Sequence, residues 1–433
     1  MDLENLEKSL IDSLTKNLPA SFGQLSRNQV ALQQWNVLKE SLPLPLAVLK
    51  ETTLLNNAKW MRDFLSKTGV LIAPHGKTTM SPQLFKLQMD MGAWGITVAT
   101  IQQLRVCRTF GINRVLMANQ LIGKESIRYV LNELKHNPDF EFYSIVDSVA
   151  HVKLLLKEAR EMAIHRPLNL LVEIGIEGKR TGCRTVETAF EVSKAISKSF
   201  PLLALCGVEC FEGLLVSDDP REDAKNVSHL LNKTIALAQR CEEADLFHAK
   251  KIIVTAGGSA YFDIVARQWS KLPLKKETEV ILRSGCYLTE DSLFYGRLFK
   301  LLEERLGEIK FLDYELEPAL EVWSYVQSRP EKNLAILNFG KRDCSYDIDL
   351  PIPKLWFHPN KHKQPQPLAN VDCHIFKLDD QHAYLRLSSS LDIQVGDMLA
   401  CGISHPCTTF DKWRELFLVD DQYQIISMIK TFF

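Results

Sequence analysis

Between residues 46 and 300, short runs of β-branched and apolar residues alternate with longer stretches whose apolar positions recur at helical spacing. The runs are VLIAPHGK (70–77), WGITVAT (94–100), RVLMANQ (114–120), FEFYSIVDS (140–148), LNLLVEIG (168–175), LLALCGVECFEG (202–213), KIIVTAGGS (251–259) and EVILRSGCY (279–287). Between them, segments such as SPQLFKLQMDMG and VKLLLKEAREMA keep their apolar residues on one helical face. Near-continuous apolar strands separated by helices imply a parallel sheet covered on both faces. Eight such units favour an α/β fold closed into a (β/α)8 TIM-like barrel over 46–300, with an open doubly wound sheet as the alternative.

After residue 300 the pattern changes. NLAILNFG, CHIFKLDD, HAYLRLSS, DMLACGIS and DQYQIISMIK are strand-like, are separated by turn residues, and have little helix between them. They predict a second, mostly antiparallel β domain over 301–433. The start, MDLENLEKSLIDSLTKNL, mixes acids and bases around spaced apolar residues and predicts an exposed amphipathic helix within an N-terminal extension, residues 1–45.

Composition narrows the class. A chain of 433 residues suits a barrel plus one further domain, and 46% apolar with 24% charged residues is ordinary for a globular protein. No apolar run of about 18 residues is present, so no membrane partner is expected. The net charge of -1 carries no electrostatic footprint for nucleic acid. The ten cysteines are scattered without a CxxC pair, and the first residues hold no apolar signal core, so a cytoplasmic protein with reduced thiols is expected.

In a barrel of this kind the chemistry sits at the carboxyl ends of the strands. Lys77 ends the first run, where it can be solvated surface or, if buried and desolvated, a neutral amine fit for Schiff-base chemistry. Gly257, Gly258 and Ser259 end the seventh run ahead of a predicted helix, an arrangement whose free amides suit a phosphate. Gly285 and Tyr287 after the eighth run could add an amide and a hydroxyl, although glycines after strands commonly serve only as turn formers. Arg180, in a glycine-bounded loop after the fifth run, either caps a helix or supplies a fixed positive charge. In the β domain, His405 and Cys407 are two apart in SHPCTTFD; on an extended strand they would share a face and could bind one zinc ion, or simply belong to the core.

APHGKTTMSPQLFKLQMDMGAWGITVAT, the RTG of 180–182, VTAGGS, RSGCY, LNFGKRD and SHPCTTFD follow in the order of the motifs of the D-serine dehydratase and D-threonine aldolase family, which the chain resembles from about residue 46 almost to its end. The resemblance implies an alanine racemase-like barrel with pyridoxal 5'-phosphate on Lys77. It also implies Arg180 against the cofactor ring, Gly257, Gly258, Ser259, Gly285 and Tyr287 near its phosphate, and a metal on His405 and Cys407. In the dehydratase branch the metal pair resembles His-x-Cys with zinc, whereas the aldolases carry His-x-Asp and a harder ion. Cys407 therefore favours dehydration of D-serine or a related D-3-hydroxy amino acid to a keto acid and ammonia, with retro-aldol cleavage as the alternative. A racemase would leave the metal pair without a role, and a non-catalytic pyridoxal-phosphate-binding protein of this fold would lack the second domain. A homodimer is expected by the same resemblance. Two departures stand out: Phe211 occupies a position where many relatives have tyrosine, and the first 45 or so residues have no counterpart in the family pattern.

Overall fold

The computed structural model describes residues 1–433 apart from 20, 218, 307–311, 370 and 389. Eight parallel strands form one sheet: β1 (Leu71–Ile72), β2 (Ile96–Val98), β3 (Arg114–Gln120), β4 (Glu141–Val146), β5 (Leu168–Ile174), β6 (Leu203–Cys210), β7 (Ile252–Ala256) and β8 (Thr278–Leu282). Each pairs with its sequence neighbour from β2 to β8, and β8 pairs with β1. The remaining seam is held where β1 runs on toward β2. There the amides of Trp94 and Thr97 donate to the carbonyls of Ile72 and Pro74 at 2.7 and 2.9 Å, and His75 bridges Thr97. The expected barrel is observed.

Local sequence explains the helices that follow these strands. Thr100, Ser148, Thr185 and Asp219 sit at strand-to-helix junctions, and each accepts a hydrogen bond from a first-turn amide. Those amides would otherwise lack acceptors. Ala73, just past β1, and the strand residues Leu116, Ile145, Leu171, Ala204, Cys206, Ile253 and Ile281 fill the barrel interior. The last barrel helix, Phe294–Leu306, runs across residue 300, so the barrel's final unit extends beyond the run of strands that suggested its limit.

The β domain is a predominantly antiparallel sheet built on the long strand Leu320–Glu331. One of its strands comes from elsewhere in the sequence: Leu46–Lys50 pairs antiparallel with Leu320–Trp323 and parallel with Phe417–Val419. Residues 1–45, expected to be helical, instead hold a four-residue α-helix (Glu4–Glu7), a pair of short antiparallel strands (Leu10–Asp12 and Gln24–Ser26) and two 3-10 turns among their described residues. Their apolar positions, Ile11, Leu18, Leu25, Val30, Val37, Leu42 and Leu44, form one core with Trp323, Phe357, Met398, Phe417 and Met428 of the sheet. The amphipathic pattern at the start of the chain reflects burial against a sheet rather than a free helix. A buried ion pair between Arg27 and Glu415 fixes the same junction. Among the described residues no helix is long and apolar enough to cross a membrane.

Candidate active site

The carboxyl ends of the strands carry a concentration of charged and polar groups. Lys77 lies in a 3-10 turn (Gly76–Thr78) just past β1, and its amide donates to His75 Nδ1 at 3.4 Å. The Lys77 side chain is exposed at the barrel mouth, so it is not desolvated as a buried strand end would have made it. His75 is half-buried, and burial together with the Lys77, Arg283 and Arg180 cations holds its imidazole well below the usual histidine value. The ring is neutral near pH 7.

Glu173 is the penultimate residue of β5 and Glu209 lies opposite it on β6, both almost fully buried. Arg283, the first residue after β8, donates to Glu209 Oε2 at 2.8 Å and to the Cys210 carbonyl at 2.7 Å. Burial pushes the Glu209 carboxyl up to about 8, with Arg283 opposing and Glu173 adding to the rise. Glu173 is also raised by burial, and it accepts hydrogen bonds from Thr181 Oγ1 at 2.8 Å and Gln120 Nε2 at 2.6 Å. The barrel mouth is thus a preorganised polar layer in which carboxylates alternate with donors.

Arg180 lies at the same mouth, its guanidinium 4.6 Å from the centroid of the Phe211 ring. The Phe211 ring therefore serves as a shelf for a cation. It also packs against the glycine turn, because a Cβ added to Gly258 would come within 2.9 Å of the ring.

The glycine turn differs from its expected use. Gly257 and Gly258 donate their amides, at 3.1 and 2.6 Å, to the two carboxylate oxygens of Glu212, which is buried and raised by that burial. The turn is an anion site, as its free amides suggest, but the anion is the protein's own. The helix beyond it begins only at Phe262. Hydroxyls remain nearby: Ser259 Oγ and Ser284 Oγ are 3.1 Å apart. Gly285 brings this edge against the Lys77 loop so closely that a Cβ there would lie 2.6 Å from the His75 carbonyl oxygen and 2.6 Å from Thr78 Oγ1. Tyr287 is buried, and burial raises its hydroxyl above the usual tyrosine value, with Gln88 of the helix Pro82–Asp90 opposing the rise.

The β domain closes over this edge. The Ser292 amide donates to the Ile403 carbonyl at 2.9 Å, and Asp291 Oδ2 accepts the His405 amide at 2.9 Å. His405 and Cys407 are not on an extended strand. His405 has a left-handed backbone (φ 55°), Pro406 is helical, and Cys407 opens a short helix. The turn still brings the two side chains together. The Cys407 thiol is drawn well below its usual value by hydrogen bonding to Cys286 and by the His405 imidazole, while His405 is pushed up to about 9, first by Cys407 and further by Asp347. Asp347 Oδ2 lies 2.5 Å from His405 Nδ1, and Thr408 Oγ1 donates to its other oxygen at 2.8 Å. A carboxylate behind an imidazole is the usual support for a metal-ligating histidine, leaving Nε2 for the ion. Cys407 Sγ is 3.6 Å from Thr78 Oγ1, the residue after Lys77. Among the described residues no group of three or more His, Cys, Asp or Glu side chains is already gathered to hold a metal.

Sequence reasoning passed over His75, Glu173, Glu209, Glu212, Arg283, Cys286 and Asp347. Most of them stand inside or beside the quoted motifs, at strand ends, and that position was the available signal. Which side chains turn inward depends on strand register and loop path, which the motifs do not reveal.

Comparison with known proteins agrees with the motif resemblance. Residues 319–419 match the family model described as "Putative serine dehydratase domain". The chain is similar to 3-hydroxy-D-aspartate aldolase of Paracoccus denitrificans (strain Pd 1222), with 25% identity over 320 residues, 72% of this chain and 76% of the relative. It is also similar to D-threo-3-hydroxyaspartate dehydratase of Delftia sp. (strain HT23), with 27% identity over 148 residues, 34% of this chain and 38% of the relative. The structure of that dehydratase superposes with a TM-score of 0.69 and 20% identity, covering 92% of this chain and 99% of the other. A cysteine variant of a D-threo-3-hydroxyaspartate dehydratase has been solved in a metal-free form. D-threonine aldolase from Filomicrobium marinum shares the fold with a TM-score of 0.73 and 19% identity over 90% of this chain and 95% of the other. The chain is therefore related to aldolases and dehydratases of D-3-hydroxy amino acids.

Proposed function

We propose that the chain is a pyridoxal-phosphate- and zinc-dependent dehydratase that converts D-serine or a related D-3-hydroxy amino acid into a keto acid and ammonia. The observation that carries the reading is the contact of the two candidate centres: Cys407, beside His405, lies 3.6 Å from Thr78, next to Lys77. One small substrate could meet both.

The residues present fit the two groups. Lys77 would hold pyridoxal phosphate through its amine at the exposed barrel mouth. Arg180, by resemblance, would contact the cofactor ring. The Ser259 and Ser284 hydroxyls, with the close approach allowed by Gly285, offer a small polar cradle for the phosphate. Because Glu212 occupies the amides of Gly257 and Gly258, these two glycines would shape the cradle more than donate to it. His405 and Cys407, with Asp347 behind the imidazole, supply a nitrogen and sulfur donor set suited to zinc. When bound, pyridoxal phosphate would supply an electron sink for charge developing at Cα, and zinc a Lewis acid for a departing hydroxyl.

The chain's own groups divide the remaining work. The Lys77 amine, once freed by the substrate's own amino group taking its place, would take the Cα proton, and the neutral His75 near it avoids adding a further positive charge. Arg180 and Arg283 offer a carboxylate-bearing substrate fixed cations, of which Arg283 is already tied to Glu209. The β domain packs against the reacting edge through the bonds of Asp291 to the His405 amide and of the Ser292 amide to the Ile403 carbonyl.

Retro-aldol cleavage is the second reading, favoured by the aldolases among the relatives. Product analysis separates the two. Purified protein loaded with both groups should release ammonia and a keto acid from D-serine, D-threonine or D-threo-3-hydroxyaspartate. Glycine with the matching aldehyde would overturn dehydration in favour of aldol cleavage, and no reaction with any of the three would remove both readings.

A further inference from the structure

We infer that Cys286 is a third protein ligand of the metal proposed at His405 and Cys407. The inference rests on that proposed site and deepens it. Cys286 opens the 3-10 turn after β8, 121 residues before Cys407, yet its Sγ stands 3.7 Å from Cys407 Sγ. Two thiolates bound to one tetrahedral zinc, each about 2.3 Å from the ion, are held about 3.8 Å apart. The observed spacing therefore matches a shared ion without movement of either sulfur. A disulfide would need the sulfurs to close to about 2.05 Å.

Two features place this pair at the chemistry rather than in ordinary core. The Thr78 hydroxyl, beside Lys77, lies 3.6 Å from Cys407 Sγ and 4.0 Å from Cys286 Sγ, so both sulfurs border the Lys77 loop. Cys286 itself is 4% exposed and belongs to the edge that Gly285 presses against that loop. The third donor, His405, two residues from Cys407, is oriented by Asp347 on Nδ1, which leaves Nε2 for an ion. The three donors come from the barrel and the β domain and are not yet gathered on one point among the described residues, so the ion itself completes the convergence. Two thiolates and one imidazole leave a single position on a tetrahedral zinc, which is the ligand count of a catalytic site with room for one substrate oxygen.

The test reads the metal rather than turnover. X-ray absorption at the zinc edge of the zinc-loaded wild-type protein should show two sulfur ligands; one sulfur overturns the inference. In metal-depleted protein titrated with cobalt(II), the sulfur-to-cobalt charge-transfer band should be about half as intense per ion in Cys286→Ser as in wild type. Zinc affinity, measured by competition with a chromophoric chelator, should fall at least about 100-fold, beyond the loss typical of outer-sphere partners. Cys286→Ala serves as a second variant, with thermal melts of the metal-free proteins reporting folding. Wild-type affinity and band intensity in a folded Cys286 variant, alongside loss of both in Cys407→Ala, would refute the third ligand while leaving the His405 and Cys407 site standing. Failure of the wild type to bind zinc at all would remove the proposed site itself.

Discussion

Replacing Gly285 by alanine probes the contact on which the proposed site depends. An added methyl would stand 2.6 Å from the His75 carbonyl oxygen, 2.6 Å from Thr78 Oγ1 and 3.2 Å from His75 Cβ. The backbone φ of -112° at Gly285 suits any L residue, so the cost is steric alone. Ordinary contact begins at 3.4 Å, and one obstacle is backbone while the other is a buried hydroxyl. The β8 loop and the Lys77 loop must therefore separate by about 0.8 Å, an overpacking that costs about 1–3 kcal/mol of stability. A misplacement approaching 1 Å between reacting groups costs on the order of 100-fold in rate. Gly285→Ala should accordingly lower kcat/KM for ammonia release by about 10- to 100-fold. Its denaturation midpoint should fall by an amount equivalent to about 1–3 kcal/mol. Gly23→Ala, where a new methyl meets nothing within 4 Å, should leave both unchanged. A Gly285→Ala enzyme with wild-type kcat/KM would refute the reasoning, because it would show that the spacing of these two loops does not matter to the reaction.

Lys77→Ala should abolish both turnover and the visible absorption of bound pyridoxal phosphate, and borohydride should fix the cofactor to Lys77 in the wild type; an adduct on a different lysine in peptide mapping would end the assignment. Glu212→Leu leaves the buried Gly257 amide and the part-buried Gly258 amide without their acceptor, at about 1–3 kcal/mol for the buried one and less for the other, whereas Glu212→Gln keeps one acceptor and should cost less. Equal urea midpoints for wild type and Glu212→Leu would show that the carboxylate does not hold the turn. The third concerns pH. His75 has its folded-state value depressed well below 6.5, so it contributes stability that is full above 6.5 and is lost as pH falls through the depressed folded value. The stability of wild type minus that of His75→Asn, followed by denaturant titration from about pH 8 to about pH 5, should shrink on acidification; a difference that grows would reverse the sign.

The alternation of apolar strands and helical stretches determined a parallel sheet covered by helices and favoured its closure into a barrel. Eight strands with near-continuous apolar character have to be buried on both faces, and the order of the units along the chain follows from short connections. The motifs also determined which residues stand at strand ends, since Lys77, Arg180, Gly257 and Gly285 all lie in loops after barrel strands. These features are local: periodicity and turn residues encode them over a few positions.

What the tertiary structure alone decided is which of those loops touch. Closing the barrel brings Glu212 under the amides of Gly257 and Gly258, 45 and 46 residues away, and sets Glu209 against Arg283 at a separation of 74. Docking the β domain sets Cys407 beside Thr78 and Cys286, 329 and 121 residues apart. The same docking recruits Leu46–Lys50 and the first 45 residues to the β domain, where their apolar side chains bury the sheet's other face. Even the meeting of His405 and Cys407 arises from a left-handed turn and a helix start instead of an extended strand. A strand's own sequence states that one face is apolar, but it does not state which distant loop supplies a carboxylate, a thiol or a hydroxyl. Those pairings follow from sheet closure and from the fit of two packed surfaces, where burial drives the docking and the polar groups caught at the junction must find partners within it.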